Sequence, residues 1–500
     1  MTSAGWRRLD RRMVLVSGAW LFPPLGSTLL TLLLTGGRLD LAAIITLGSI
    51  ALTFVIVAGA FAVRFLTTRF RIGDDRVELH SGAVFRQQRS VRRDRIRSVD
   101  VTASPLHRVL GLRVVRISSG EHAGGERRQV VLDGISLAEA EDLRRRLTPG
   151  DAGSTEPIAT ARWGRLRYAP LTVWGVAGVG IVVGGFFRLI DSLSINPADI
   201  GFLRAIWDGL TALPLWSAIV VPVLIVLALG VLTSLTTFVE TWWDYRLEPA
   251  GEDAVRLRRG LFSTRVVWLE RQRLRGVQIA EPVPLRWARG ARLNAIAVGL
   301  GASDDRSTST KSALLPPASM MEARQVAAAV LGEAPGFLDG LTLAPAPRAA
   351  LRRRLTWALA AVVLVETPLV ILGVTVTTVL LQIAWLLGIV LLPVALAAAV
   401  DAYRSLGSGL YGGYLVTRYG TYSRRTVLLD RSRILAWSIN QSVAQRRAGI
   451  ATFVAMVGAG RGGYKIRDVA LAEGLALARA ATPEMFAELA EIAPESVGVR

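Results

Sequence analysis

The sequence predicts a membrane protein built three times over: a helical hairpin that crosses the bilayer, then a small antiparallel α+β domain closed by a helix. Three observations predict it. Apolar and charged residues are segregated into blocks, basic residues avoid one set of loops, and a polar motif recurs three times in one register. The composition carries the same tension. Hydrophobic residues make up 51% of the 500, yet 20% are charged and the net charge is +20. The mean hydropathy of +0.41 is too high for an ordinary soluble enzyme.

Six stretches lack Lys and Arg and are long enough to cross a hydrocarbon core of about 30 Å, which takes roughly 20 helical residues. They are Met13–Thr35, Leu41–Val63, Ala169–Phe187, Leu213–Val239, Leu355–Val374 and Thr377–Val400. They fall into three pairs with short gaps inside a pair and long gaps between pairs. The first is not read as a cleaved signal peptide. It holds Pro23 and Pro24 and runs almost directly into the second stretch with no small-residue cleavage site.

Orientation follows from the basic residues. Of 59, only Arg38, Arg188 and Arg204 lie in loops within a pair, and the spans hold none, which leaves 56 elsewhere. The basic side of a membrane protein is its cytoplasmic side. Both termini and all three polar segments are therefore expected inside. The boundaries read 1–12 for the cytoplasmic N-terminus, 13–63, 169–239 and 355–400 for the hairpins, and 64–168, 240–354 and 401–500 for the polar domains.

The polar domains share a register. The first contains "SGAVFRQQRSVRRDRIRSVDVTASPLHRVLGL", the second "RRGLFSTRVVWLERQRLRGVQIAEPVPLRWARGA" and the third "RYGTYSRRTVLLDRSRILAWSINQSVAQRRAGI". Gly82, Gly260 and Gly420 open it. Thirteen residues later come Arg95-Ile96, Arg273-Leu274 and Arg433-Ile434. Gly111, Gly290 and Gly449 close it, the second after one inserted residue placed near Pro282–Pro284. Arg108 falls opposite Arg446, whereas the second copy shows Trp287 and Ala288 around the expected arginine. Short segments with alternating polarity suit half-buried strands: "DRVELHSG" from Asp75, "SVDVTAS" from Ser98 and "RVVRISSG" from Arg113. Each unit then ends in a helical pattern. Ser136 with Glu139 forms a capping box at the first, "ASMMEARQVAAAVLG" is the second, and "ALAEGLALARAA" followed by "TPEMFAELAEI" is the third. Short antiparallel strands closed by one helix predict a small barrel or sandwich with a helical plug.

The glycines, the Arg-Ile pair, Arg108 and the Gly111-Leu112 ending, set behind a helical hairpin, resemble the bacterial pleckstrin-homology-like (bPH2-type) domain. Three such domains, each behind two spans, resemble the YdbT-like membrane proteins. The resemblance is closest in the first copy. The third has Ile450 where the pattern has Leu. It implies three pleckstrin-homology-like barrels in a bacterial plasma membrane, and it implies no particular biochemical activity.

The residues supply no catalytic set. His80, His107 and His122 stand among basic, strand-like or loop residues without matched carboxylates, so neither a nucleophilic triad nor a metal site is expected. "GAGRGG" at Gly458–Gly463 lacks the spacing of a dinucleotide loop and precedes a strand-like segment, so it reads as a hairpin loop and no cofactor is expected. With no Cys there are no disulfides. Nucleic-acid binding is not expected, because the charge is spread as +8, +6 and +5 over three tethered domains. Two features point further. Glu366 lies about eleven residues into the fifth span, beside Pro368, where an ionisable group is expensive and is a functional candidate. Arg86, Arg89, Arg92, Arg93 and Arg97 form a basic run suited to anionic lipid or a partner surface. The expected function is a non-enzymatic membrane scaffold or binding module, meeting inner-leaflet lipids or membrane or cytoplasmic proteins and forming hetero-oligomers with them. The alternative is a transporter or export component with Glu366 in its path.

Overall fold

The computed structural model describes residues 66–73, 75–81, 87–92, 98–103, 105–123, 126–147, 156–171, 214–251, 253–261, 265–298, 312–460 and 462–486, with isolated positions elsewhere. The chain forms two compact units, residues 1–269 and 270–500. Of the six expected spans, the last three are long apolar helices: α3 (Leu215–Trp242), α6 (Arg348–Thr375) and α7 (Thr378–Arg404). Among the described residues these three helices are long and apolar enough to cross a membrane, not six. The spans expected over 13–35, 41–63 and 169–187 lie largely outside the described residues.

In the first repeat, β1 (Arg7–Arg8), β2 (Arg69–Ile72), β3 (Arg76–Ser81) and β4 (Gln87–Arg92) make one antiparallel sheet. A second holds β5 (Ser98–Thr102), β6 (Leu112–Ala123) and β7 (Glu126–Ser136), with the short helix α1 (Pro105–Val109) between β5 and β6. Helix α2 (Leu137–Leu147) closes the unit, its first turn capped as the sequence predicts by Ser136 Oγ, which accepts from the Glu139 amide at 3.3 Å. Strand alternation turns Val77, Leu79, Val91, Val115, Ile117, Val130 and Leu132 inward, and Ala140 and Leu143 of α2 pack against them.

The apolar stretches leave the sheets in a consistent way. Strand β1 precedes the first apolar stretch and β2 follows it, and the two pair, with Arg7 opposite Phe70 and Arg8 opposite Arg69. Strand β8 (Ala159–Thr160) precedes the second and β9 (Arg246–Pro249) follows it, with Ala159 opposite Leu247. In the third, Ala344 before α6 bridges Ser408 after α7. Each apolar stretch is thus inserted between paired segments at a sheet edge. Residues 159–160 accordingly belong to a sheet of the second repeat, although they precede the boundary at 168.

The second repeat continues with β10 (Ala254–Arg259), β11 (Arg265–Glu270), β12 (Leu274–Pro282), α4 (Val283–Trp287), β13 (Gly290–Ala297), β14 (Ala313–Ser319) and α5 (Met320–Leu331). The third has β15 (Gly407–Tyr411), β16 (Tyr414–Tyr419), β17 (Ser423–Asp430), β18 (Ile434–Asn440), α8 (Val443–Arg447), β19 (Ile450–Val457), β20 (Gly463–Ala470) and α9 (Leu471–Ala481). Among the described residues the strands form open sheets rather than the expected closed barrels. The strands of the first and third repeats divide into two separate sheets, and the outer edge of β12 is taken by the following repeat. Strand β17 pairs with it from Gly276–Leu429 to Pro282–Ser423, giving a six-stranded sheet in the order β14-β13-β12-β17-β16-β15. Gly276 makes this approach feasible. It has φ +155° beside a bulge, and a Cβ there would fall inside the carbonyl oxygen of Leu428. The equivalent positions carry Ser98 and Ala436, and their strands, β5 and β18, are outer strands of three-stranded sheets.

The repeat register is tighter than the sequence reading allows. Gly111 and Gly449 are left-handed, at φ +71° and +66°, directly after α1 and α8. In the second copy the residue after α4 in that conformation is Arg289, at φ +52°, not Gly290. The backbone hydrogen bonds agree. Gly111, Arg289 and Gly449 donate to Arg108, Arg286 and Arg446, and accept from Leu137, Met320 and Leu471, the first residue of each closing helix. No residue is inserted near Pro282–Pro284, and Arg286 is the arginine that seemed to be missing. Leu274 and Ile434 are buried at matching strand starts, while Ile96, Arg95 and Gly82 lie outside the described residues.

Two outcomes follow from this geometry. Gly276→Ala should lower stability by about 3 kcal/mol through overpacking against the β17 backbone, and should raise hydrogen exchange across Ser423–Leu429. Ala436→Gly, on a strand without that neighbour, should cost less than about 1 kcal/mol. Arg289→Gly should raise stability by about 1 kcal/mol, because a left-handed backbone strains any residue with a Cβ. Thermal unfolding of the detergent-solubilised chain measures both.

Candidate functional site

Helix α6 begins with a basic turn, Arg348, Arg352, Arg353 and Arg354, below its apolar length. Arg353 and Arg354 reach Asp468 on β20: Arg353 Nη1 bonds one carboxylate oxygen, and Arg354 Nη2 lies 3.3 Å from the other. Gln445 Nε2 of α8 donates to the same carboxylate at 2.9 Å. Asp468 is 2% exposed and left-handed, at φ +55°, a conformation Asp tolerates better than most residues. A buried carboxylate needs paired charge and hydrogen bonds, and here two guanidinium groups and an amide supply them. Gln445 is itself fixed by a capping box with Ser442.

The other leg of the hairpin is tied too. Asp401 near the end of α7 accepts from Arg286 Nη2 at 2.7 Å, with Arg424 Nη2 at 4.0 Å. Tyr403 donates its hydroxyl to the Ala346 carbonyl at 3.0 Å. Burial lifts the Glu281 carboxyl on β12 above the ordinary carboxylate range, against the opposing pull of Arg424, Arg286 and Arg418.

Two sets of register arginines have structural work. Arg273 and Arg433, at the shared Arg-Ile position, pair three residues back with Glu270 at 2.8 Å and Asp430 at 3.7 Å. Two positions earlier stand Arg271 and Arg431. Arg271 Nη2 donates to Ala329 O near the end of α5 at 3.5 Å, and Arg431 donates to Ala480 O and, from Nε at 3.0 Å, to Ala481 O at the end of α9. Cations there satisfy the orphan carbonyls of a helix C-terminus. Arg93 holds this register position in the first copy.

Of the basic run, Arg89 and Arg92 are described, and both are exposed on β4. They pair opposite Leu79 and Arg76, so strand alternation sends them to opposite faces rather than one. Arg86, Arg93 and Arg97 lie outside the described residues. Glu366 packs on the α6–α7 seam, 3.4 Å from where a Cβ on Gly388 would stand, and its Oε1 is shielded without a hydrogen-bond partner. His107 Nε2 sits 3.1 Å from Asp133, and the His80 ring lies against Trp6. Among the described residues no group of His, Asp and Glu is placed to hold a metal ion. Sequence reading missed Asp468, Gln445 and Asp401. The recurring arginine two residues before the Arg-Ile pair was visible and would have separated helix capping from ligand contact.

Two-sheet units closed by a helix, repeated three times and carrying apolar helices, define a repeat protein fit for membrane association. The bacterial PH domain family model matches residues 27–150, 198–334 and 357–484. The chain belongs to that family. Comparison with curated proteins and with solved structures returned no match.

Asp468→Asn keeps the side-chain shape and the left-handed preference but removes the charge beneath Arg353 and Arg354. It should cost about 3 kcal/mol, the scale of breaking a buried ion pair. Unfolding of the solubilised protein would show this as a lowered midpoint, with Lys465→Gln as the unaffected control.

Proposed function

We propose that the chain is a non-enzymatic, multi-pass protein of the bacterial plasma membrane, organised like the YdbT-like proteins. Its three PH-like segments serve as a scaffold for partner proteins or lipids at the inner leaflet. Both termini and all three segments are cytoplasmic in this reading. The observation that carries it is the junction of α6 and α7 with the second and third segments. Asp468 on β20 holds the start of α6, and Arg286 on α4 of the second segment holds the end of α7 through Asp401, so binding surfaces are held at a fixed height against the membrane. The exposed Arg89 and Arg92, with Arg86 and Arg97, add charge that an anionic leaflet attracts. Arg93 is withdrawn from that set, since its register position belongs to helix capping in the other copies.

Reporter fusions at Arg127, Arg306 and Arg461 should all read cytoplasmic, and crosslinking in native membranes should recover a stable partner. One periplasmic reading removes the six-span topology. A second reading, transport, is favoured only by the shielded, unpartnered Oε1 of Glu366. Glu366→Gln separates the two. A scaffold should keep its partner and insert normally, with stability unchanged or raised by up to about 2.5 kcal/mol; a transport path should lose its cargo.

A further inference from the structure

A cavity of about 680 Å³ opens between the base of the α6–α7 hairpin and the outer face of β20. Its two walls differ in chemistry. Lys465 and Arg467 stand two apart on β20, so both project from one face, and both are exposed. Arg353 and Arg354 face them from α6. Four cations thus meet the single carboxylate of Asp468, an excess of three positive charges. The Nε atoms of Arg353 and Arg354 are shielded and have no acceptor among the described residues. Arg467 also rests over the Tyr419 ring, 5.2 Å from its centroid.

The other wall is apolar. Trp357, 66% exposed, and small side chains of α7 such as Ala398 and Ala402 line it, and it leads toward the lipid-facing length of the hairpin. Trp at this height marks a membrane–water interface. Small residues leave a strip along the helix pair that an acyl chain would fill.

We propose that this cavity binds an anionic glycerophospholipid, with the headgroup phosphate held by Lys465 and Arg467 beside the guanidinium groups of Arg353 and Arg354 that line the cavity. The guanidinium fork matches phosphate oxygens in pairs, and Lys adds a point charge. The acyl chain lies along the alanines of α7. A free phosphate compound would use the cations but leave the apolar wall empty. A zwitterionic lipid would fill that wall but bring no net charge to answer the excess. The inference rests on the reading that α6 and α7 lie in a bilayer, and it deepens that reading by naming a ligand.

The test uses the full chain in neutral detergent, titrated by calorimetry with dihexanoyl phosphatidylglycerol, dihexanoyl phosphatidylcholine and glycerol 3-phosphate. Phosphatidylglycerol should bind saturably, with the other two at least tenfold weaker. The double variant Lys465→Gln/Arg467→Gln changes two exposed residues and should unfold at the wild-type temperature. It should bind phosphatidylglycerol about thirty-fold more weakly, as expected for two cations worth about 1 kcal/mol each near an anionic lipid, with 1.4 kcal/mol per factor of ten. Equal binding of phosphatidylcholine, or an unchanged double variant, overturns the proposal. Glycerol 3-phosphate binding as tightly as the lipid reassigns the cavity to a soluble phosphate and overturns it as well. The reporter fusions report membrane insertion independently, so an inserted protein without charge-dependent lipid binding loses this site and keeps its scaffold role.

Discussion

Backbone pairing across the base of each apolar stretch is the constraint on which the rest of the architecture depends. The chain enters a sheet edge, departs through the apolar residues, and returns beside its own entry point: Arg7 by Phe70, Ala159 by Leu247, Ala344 by Ser408. An edge strand that pairs has no exposed row of amides and carbonyls to satisfy elsewhere. It also fixes the separation of the two chain ends that an apolar hairpin must bridge. A flexible tether would leave the attached domain free to tumble. Two ends locked in one sheet do not.

In the third repeat, charge completes what the backbone begins. A hairpin base is where an apolar helix surface meets polar groups, and burying charge there is costly unless it is paired. Asp468 answers Arg353 and Arg354, and Asp401 answers Arg286. Each pair joins an end of a long helix to a strand or a short helix of a PH-like segment. The arginines therefore divide by role. Some close helices, as Arg431 does on α9; some anchor the hairpin; and Lys465 and Arg467 remain directed at the cavity.

Much of this was legible in the sequence, and the omissions have physical causes. The strands over Arg76–Ser81 and Ser98–Thr102 and the capping box at Ser136 follow from local alternation and local hydrogen bonding, which a linear reading captures. The three later spans follow from length and apolarity. The gap assigned to the second copy was an error of chemistry. Glycine was required at the left-handed position, whereas Arg289 occupies it at some cost in strain. In the second repeat β12 pairs with the following repeat, and no pattern within one repeat reports that. Asp468 was invisible for a similar reason: its arginine partners lie over a hundred residues away.

The single glycine at 276 argues against reading the three repeats as interchangeable. If all three followed one assembly rule, the positions of Ser98 and Ala436 would need the same freedom from a Cβ, and they lack it. Among the described residues, Gly276 of β12 meets a neighbouring strand's carbonyl at this approach. The six-stranded sheet joins the second and third repeats at β12, whereas β5 and β18 are outer strands of three-stranded sheets. A repeat protein whose copies all paired alike would have an open acceptor edge at its last copy and would invite further strands. Placing the permissive glycine in the middle copy confines the pairing to the joint between the second and third repeats, while Lys465 and Arg467 of β20 line the cavity at the hairpin base.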